Sequence, residues 1–235
     1  MTTTDIPGTP TNGDDDENFD QPLSYVGPVS NAAASDIVAT APYVATVRIK
    51  GTSPILFHAW NNEAVASKAA AKKGSAAKKT DNIESYVYRD TDGNICLPGH
   101  YLVGSLTDRL NGAAKYRQDP RSTRKSALDL FRAGVVTLTD LAPIIPAGKT
   151  EPSKEWDYLD SRRAMVQRQG ITRVRPAFLT GWTATVQLMC LTPEYISPDD
   201  LLDTLTRAGQ LVGVADHRPT FGRFVITAFD IGLTG

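Results

Sequence analysis

The apolar residues of this chain follow two periods. Between Tyr43 and Lys50 they alternate, with Ala45, Val47 and Ile49 on one side and Thr46, Arg48 and Lys50 on the other. Alternation predicts a half-buried strand, here with two cations on its open face. Gly51-Thr-Ser-Pro54 interrupts it, and Ile55–Phe57 is expected to continue it after a bulge. Tyr86-Val-Tyr88, the turn Asp90-Thr-Asp-Gly93 and the return Asn94–Leu97 read as a hairpin, with Gly93 supplying the positive φ. Pro98 then fits the first turn of a helix, where a missing N–H costs nothing. From Tyr101 the spacing is helical, with Val103, Leu106 and Leu110 on one face, and a helix over 101–111 is predicted.

Further along, 126–133 reads as a short helix with Gly134 as its C-cap, followed by a strand over 135–141. Pro143, Pro146, Gly148 and Pro152 mark a loop, and Gly170 a hairpin turn. Trp182, Ala184, Val186, Leu188 and Cys190 share one face of a strong strand, which assigns Trp182 to the core. Ser197-Pro-Asp-Asp200 is a helix start with a Ser cap and a capping-box acid. Leu201, Leu205, Ala208 and Val212 give that helix a buried side, Gly213 ends it, and 224–229 is a closing strand. Each half of the chain is thus strand, helix, strand. The predicted class is α+β, a modified ferredoxin-like (RRM-like) antiparallel sheet with helices on one face and a basic insertion.

Composition changes this picture at the N-terminus. Residues 1–36 hold seven of the 26 acids and none of the 25 Lys and Arg, so 37–235 carry 25 basic against 19 acidic groups. The net charge of −1 therefore conceals a basic body behind an acidic segment. Residues 1–40 are polar, aperiodic and expected to be a disordered tail, with one domain over 41–235. No apolar run approaches the ~20 residues of a membrane span. The polar start argues against a signal peptide, and a cytoplasmic location without membrane contact is expected. Cys96 and Cys190 sit in apolar runs and read as small buried residues, and no Cys/His spacing points to a metal or other cofactor.

The cations are clustered. Lys68, Lys72, Lys73, Lys78 and Lys79 fall in an Ala-rich stretch without an acid or an apolar stripe, expected to be a flexible basic insertion at about 60–82. Lys115, Arg117, Arg121, Arg124 and Lys125 form a second group. Arg162, Arg163, Arg168, Arg173 and Arg175 form a third, in which Arg173 and Arg175 flank Val174 and share a face. His217, Arg218 and Arg223 form a fourth, and Arg48, Lys50 and Arg109 add to the set. Arginine forks pair with phosphate and stack on bases. Tyr101 and Phe221 lie beside turns and are candidates to stack on unpaired bases, and His100 sits on the turn before Tyr101. Backbone contact of this kind predicts salt-sensitive binding of single-stranded nucleic acid.

Two motifs carry a family resemblance. Pro98-Gly-His-Tyr-Leu-Val-Gly-Ser-Leu-Thr-Asp-Arg109 is similar to the PGSSLKGxLR turn-and-helix of RAMP proteins, with His100 and Tyr101 for two small residues and Val103 for the usual Lys. Gly213–Arg223 is similar to their glycine-rich loop before the last strand, with one terminal Gly where the family has two. The resemblance covers about 43–141 and 182–230, and is to the backbone subunits of CRISPR effector complexes that polymerise along a guide RNA. It implies a non-catalytic RNA-binding subunit that associates with copies of itself and with other effector subunits, in antiviral defence. It also implies that the insertion touches RNA and neighbouring subunits. In some members an Asp near the insertion cleaves RNA; the local residues are Asp81 and Glu84, and neither matches the pattern.

Two other readings stay open. A protein binding or annealing single-stranded DNA, as in phage-type recombination, has the same needs, because nothing in the sequence reads a 2′-hydroxyl. A metal-independent RNA-processing endoribonuclease would use His100 and His217 as general acid and base.

Overall fold

The computed structural model of the chain describes residues 41–59, 70, 82–166 and 169–233. The acidic segment 1–40 lies outside them, as do Lys68, Lys72, Lys73, Lys78, Lys79, Asp81 and Arg168. In chain order the elements run β1 (Tyr43–Gly51), β2 (Ile55–Leu56), β3 (Tyr88–Arg89), β4 (Ile95–Pro98), α1 (Gly99–Thr107), β5 (Gln118–Asp119) and β6 (Ser122–Ser126). They continue with α2 (Leu128–Gly134), β7 (Val135–Thr137), β8 (Leu141–Pro143), β9 (Tyr158–Val166) and β10 (Gln169–Phe178). The last three are β11 (Thr183–Cys190), α3 (Pro198–Leu211) and β12 (Phe224–Leu233). The described residues are of mixed α+β class, with antiparallel sheets and three helices.

The main sheet has the order β12-β1-β11-β7, each neighbour antiparallel. Alternation builds it. Tyr43, Ala45, Val47 and Ile49 are fully buried, and Arg48 and Lys50 are exposed on the opposite face. β11 repeats this, with Ala184, Val186, Leu188 and Cys190 inward and Thr185 and Gln187 outward. Leu102 and Leu106 of α1 and Leu201, Leu205 and Ala208 of α3 join the same core. Each large buried side chain contributes about 1.5–3 kcal/mol. Trp182 belongs to this core: it is fully buried, and its indole N–H donates to the Ser53 carbonyl at 3.0 Å. α3 starts as its sequence predicts, with Ser197 and Asp200 exchanging the two bonds of a capping box.

The structure departs from the expected elements at several points. β2 does not continue β1 but pairs with β10 in a second sheet, β2-β10-β9. The Thr52 N–H donates to the Arg223 carbonyl, and the chain then leaves the main sheet. The strand expected over 135–141 is two strands. β7 edges the main sheet, and β8 joins β3 and β4 in a third. Between them Thr139 Oγ1 accepts from Gln187 N–H, and the Asp140 carbonyl accepts from Gly99 N–H, which turns the chain from one sheet to the next.

Gly134 lies inside α2 without a positive φ. Its role is space, since a Cβ there would collide with Thr192 Oγ1. Gly170 is a strand residue opposite Met165 and is not the turn of this hairpin. α1 runs over 99–107, not 101–111, with Pro98 as its N-cap. It ends early because the Asp108 carboxylate accepts from the N–H groups of Leu110 and Asn111 and turns the chain out, leaving Leu110 79% exposed. Cys96 and Cys190 are buried free thiols. No helix among the described residues is long and apolar enough to cross a membrane.

Candidate nucleic-acid interface

The segment Gly213–Arg223 is a fixed loop. Gly213 leaves α3 at φ +76, and the Val214 N–H donates to the Gly222 carbonyl at 2.9 Å. Gly222 has φ +73, and a Cβ there would strike the Val214 carbonyl. Its N–H donates to the Pro54 carbonyl at 2.8 Å, and the Asp216 N–H to the Leu56 carbonyl at 3.0 Å, so the loop is tied along β2. Ala215 (φ +63) and His217 (φ +59) hold left-handed conformations on either side of Asp216. A non-glycine residue there costs about 1 kcal/mol or more, and such strain concentrates at ligand-binding sites.

This loop and the start of α1 meet across a cleft of about 280 Å³, lined by His58, His100, Tyr101, Gly104, Ala215, Asp216 and Arg218. The two motifs quoted from the sequence are therefore spatial neighbours. Arg218 reaches Asp108 at 3.6 Å, a loose pair at a partly exposed position. Arg173 Nη1 lies 3.1 Å from His58 Nε2. Arginine can only donate, so that nitrogen accepts and the ring is neutral. Burial, and then the Arg173 charge, hold the His58 pKa below its ordinary value. The ring also stacks on Tyr86, with centroids 4.3 Å apart. The Tyr101 and Tyr88 hydroxyls are 3.3 Å apart, and burial pushes the Tyr101 phenol up. Gly104 leaves one wall bare, since a Cβ there would meet nothing within 4 Å.

The stretch holding the five insertion lysines begins after Ala59, the residue that follows the cleft's His58. Ala59 N–H donates to the Tyr86 carbonyl at 2.9 Å, one residue after His58. A second cleft, of about 630 Å³, is lined by Glu84, Arg89, Gly93, Lys154, Glu155 and Trp156. It contains none of the expected site residues, and Arg89 and Glu84 pair with each other there.

The expected cations divide into two sets. Arg117 pairs with Asp200 and Asp203, Arg121 with Asp119, and Arg162 with Asp160. The Arg121 fork holds the Asp119 carboxyl down at about 2. Arg175 is 4% exposed and paired with Asp216, which corrects its reading as a surface cation: the pair fastens β10 to the loop. These arginines already have carboxylate partners. Arg48, Lys50, Arg109, Arg124, Arg163, Arg218 and Arg223 are exposed, with the Arg223 Nε–H donating to the Pro219 carbonyl.

Two further expectations change. Phe221 is 6% exposed, packed in a small core with Leu56 and Ala177 and covered by the Arg162 guanidinium at 4.5 Å, so its ring does not face solvent. His217 contacts Phe221 and is not among the residues lining the cleft; the histidine beside His100 there is His58. The first N–H of α1, on Gly99, is used by the Asp140 carbonyl, and a Cβ on Gly99 would strike the Thr139 carbonyl. That residue serves close packing. His58 and Asp216 are cleft residues that the charge clusters did not single out, because one lies before the basic insertion and the other is an acid. No protein-family model matches the chain, and no curated protein matches it.

Proposed function

We propose that the protein binds single-stranded RNA along its phosphate backbone, without cleaving it, as a RAMP-like subunit that lines up with copies of itself on the strand. The observation that carries this reading is the convergence on one cleft of the start of α1, the Gly213–Arg223 loop and His58, the residue before Ala59, after which the lysine-rich stretch begins. The cleft offers Arg218, with Arg173 behind His58, and the lysine-rich stretch follows His58 in the sequence. A polyanion suits such a site. The ferredoxin-like reading of the core has support of its own. In chain order the four strands of the main sheet are first, second, third and fourth, and they lie side by side as 4-1-3-2, all antiparallel. That is the order in which two interleaved strand–helix–strand units pair. The open sheet face shows no exposed aromatic among the described residues, so contact to phosphate and sugar dominates over base stacking there.

The test is to purify the full chain and identify what co-purifies. RNase-sensitive, DNase-resistant fragments of uniform or stepwise length are expected. DNase-sensitive material of random length would favour a single-stranded DNA-binding protein, and protein that binds neither nucleic acid at low salt would end both readings. The ribonuclease alternative has one observation in its favour: two histidines, His58 and His100, line the same cleft. His58 Nε2 already accepts from Arg173, so the general base of such a reaction would be His100. Incubation of labelled RNA with the wild-type protein in the presence of chelator decides it. Intact RNA is expected.

A further inference from the structure

The cleft contains one feature that a pure phosphate site does not need, a carboxylate. Asp216 is among its lining residues, and its side chain is 34% exposed. One oxygen, Oδ2, is held by the buried Arg175, and the backbone N–H is fixed by Leu56. The left-handed residues Ala215 and His217 set the turn that presents it. Arg175 needs a counter-charge, but that need would be met by a buried acid as well as by one open to the cleft. A carboxylate facing a phosphate strand is repulsive unless it accepts a hydrogen bond from the ligand. The donor that recurs at every nucleotide of RNA, and at none of DNA, is the ribose 2′-hydroxyl.

We infer that Asp216 is the specificity residue of the cleft: it accepts the 2′-hydroxyl of a ribose whose phosphate lies on Arg218, and so selects RNA over DNA. This rests on the nucleic-acid reading above and narrows it to one sugar. The Arg175 bond fixes the carboxylate before the ligand arrives, so little ordering cost falls on binding. A hydrogen bond to a charged acceptor is the stronger kind, and its loss is worth about ten-fold or more in affinity. With no donor to offset it, the same carboxylate repels a deoxyribose strand.

The experiment uses the full chain, an oligouridylate and its 2′-deoxy and 2′-fluoro counterparts, at one fixed low salt concentration. The 2′-fluoro sugar keeps an RNA-like pucker but has no hydrogen to donate. Wild type is expected to bind the ribo strand about ten-fold tighter than either analogue. Asp216→Ala alone would leave Arg175 buried and unpaired, so the working variant is Arg175→Met with Asp216→Ala, checked by its melting curve. It is expected to bind the ribo strand no better than the deoxy strand while keeping or improving deoxy binding. Equal affinity of wild type for all three strands, or a double variant that retains the ribo preference, overturns the assignment of Asp216 and leaves nucleic-acid binding standing. Binding of none of the three overturns both.

Discussion

The Arg175 guanidinium, buried on β10, is held by the Asp216 carboxylate on the loop after α3, and the two residues are 41 positions apart in the chain. The pair joins the second sheet to the loop that forms one wall of the cleft. Its two ends are unequal: the arginine side chain is 5% exposed and the aspartate 34%. Removing the acid strands a charge inside the protein, whereas removing the arginine leaves an acid that water still reaches. Asp216→Ala should therefore cost about 2–4 kcal/mol and Arg175→Met about 1 kcal/mol, with the double substitution close to wild type. Urea unfolding of the four proteins checks this, and equal costs for the two single substitutions would contradict the asymmetry.

Gly93 and Gly222 both have positive φ, at +84 and +73, but their surroundings differ. A Cβ on Gly93 meets nothing within 4 Å, while one on Gly222 strikes the Val214 carbonyl. Gly93→Ala should cost about 1 kcal/mol, the backbone term alone. Gly222→Ala should cost more than twice as much and displace the loop that carries Asp216 and Arg218. Thermal melts rank the two, and binding to single-stranded RNA should fall only for the second.

Where a residue's neighbours lie within a few positions, the sequence was legible. The alternation in β1 and β11 and the cap and apolar side of α3 follow from periods of two and 3.6, and the structure keeps them. Gly93 and Gly213 were legible as turns for the same reason. What was lost depends on distant contacts. A two-residue strand such as β2 has no period to show its partner, and β10 supplies that partner more than a hundred residues later. Helical spacing predicts too long an α1 because Leu110 fits it, while the competing bond to Asp108 is a side-chain choice that spacing does not register.

The site divides in the same way. The turn at Pro98 and the loop at Gly213–Arg223 were singled out as motifs. The placement of Arg173 and Arg175 on one face is correct, because strand geometry fixes it. The fate of the arginines was not legible. The acids that pair with Arg117 lie 83 and 86 residues away, and charge clustering along a chain counts cations without their distant partners. A position beside a turn suggests a stacking role for Phe221, yet its ring packs inward with Leu56.

His58 gives a pH dependence of definite sign. Its folded-state pKa is below the ordinary histidine value of 6.5 because of burial and the Arg173 charge. Between those two pKa values the unfolded chain binds the extra proton and the folded chain does not, so stability rises with pH across that window. The contribution is constant above about 6.5, falls as the pH drops below it, and levels off beneath the folded value. Melting temperatures taken from about pH 7.5 to about pH 5 should decline more for wild type than for His58→Gln. Polyanion binding should run the other way: a phosphate in the cleft favours the imidazolium, so affinity should increase as pH is lowered through the same range. Parallel pH profiles for wild type and His58→Gln would show that this ring is not coupled to either process.

Arg218 and Arg117 separate binding from structure. Arg218 has only a loose 3.6 Å pair and faces the cleft, while Arg117 bridges two acids on α3. Arg218→Ala should weaken binding to single-stranded RNA and lower the slope of log affinity against log salt by about 0.7, the share of one phosphate. Its melting temperature should be nearly unchanged. Arg117→Ala should leave the salt slope alone and cost stability of about 1 kcal/mol, a network of two partly exposed pairs. Salt titrations monitored by fluorescence anisotropy, with melts alongside, test both, and an unchanged slope in Arg218→Ala would remove this loop from the binding surface.

Gly104 offers a way to close the cleft without disturbing the fold. It lies in the middle of α1, lines the cleft, and has open space where a side chain would stand. A helical glycine costs about 0.5–1 kcal/mol relative to alanine, so Gly104→Ala should raise stability by that amount. Gly104→Leu keeps the helix propensity and adds a branched side chain in the space between Tyr101 and the Gly213–Arg223 loop. It should be at least as stable as wild type and bind single-stranded RNA markedly more weakly. Gel-shift titrations of the three proteins, with denaturant melts on the same samples, give the answer. A Gly104→Leu protein that is stable and binds like wild type would mean that the strand does not enter this cleft, and that the exposed cations elsewhere carry the contact.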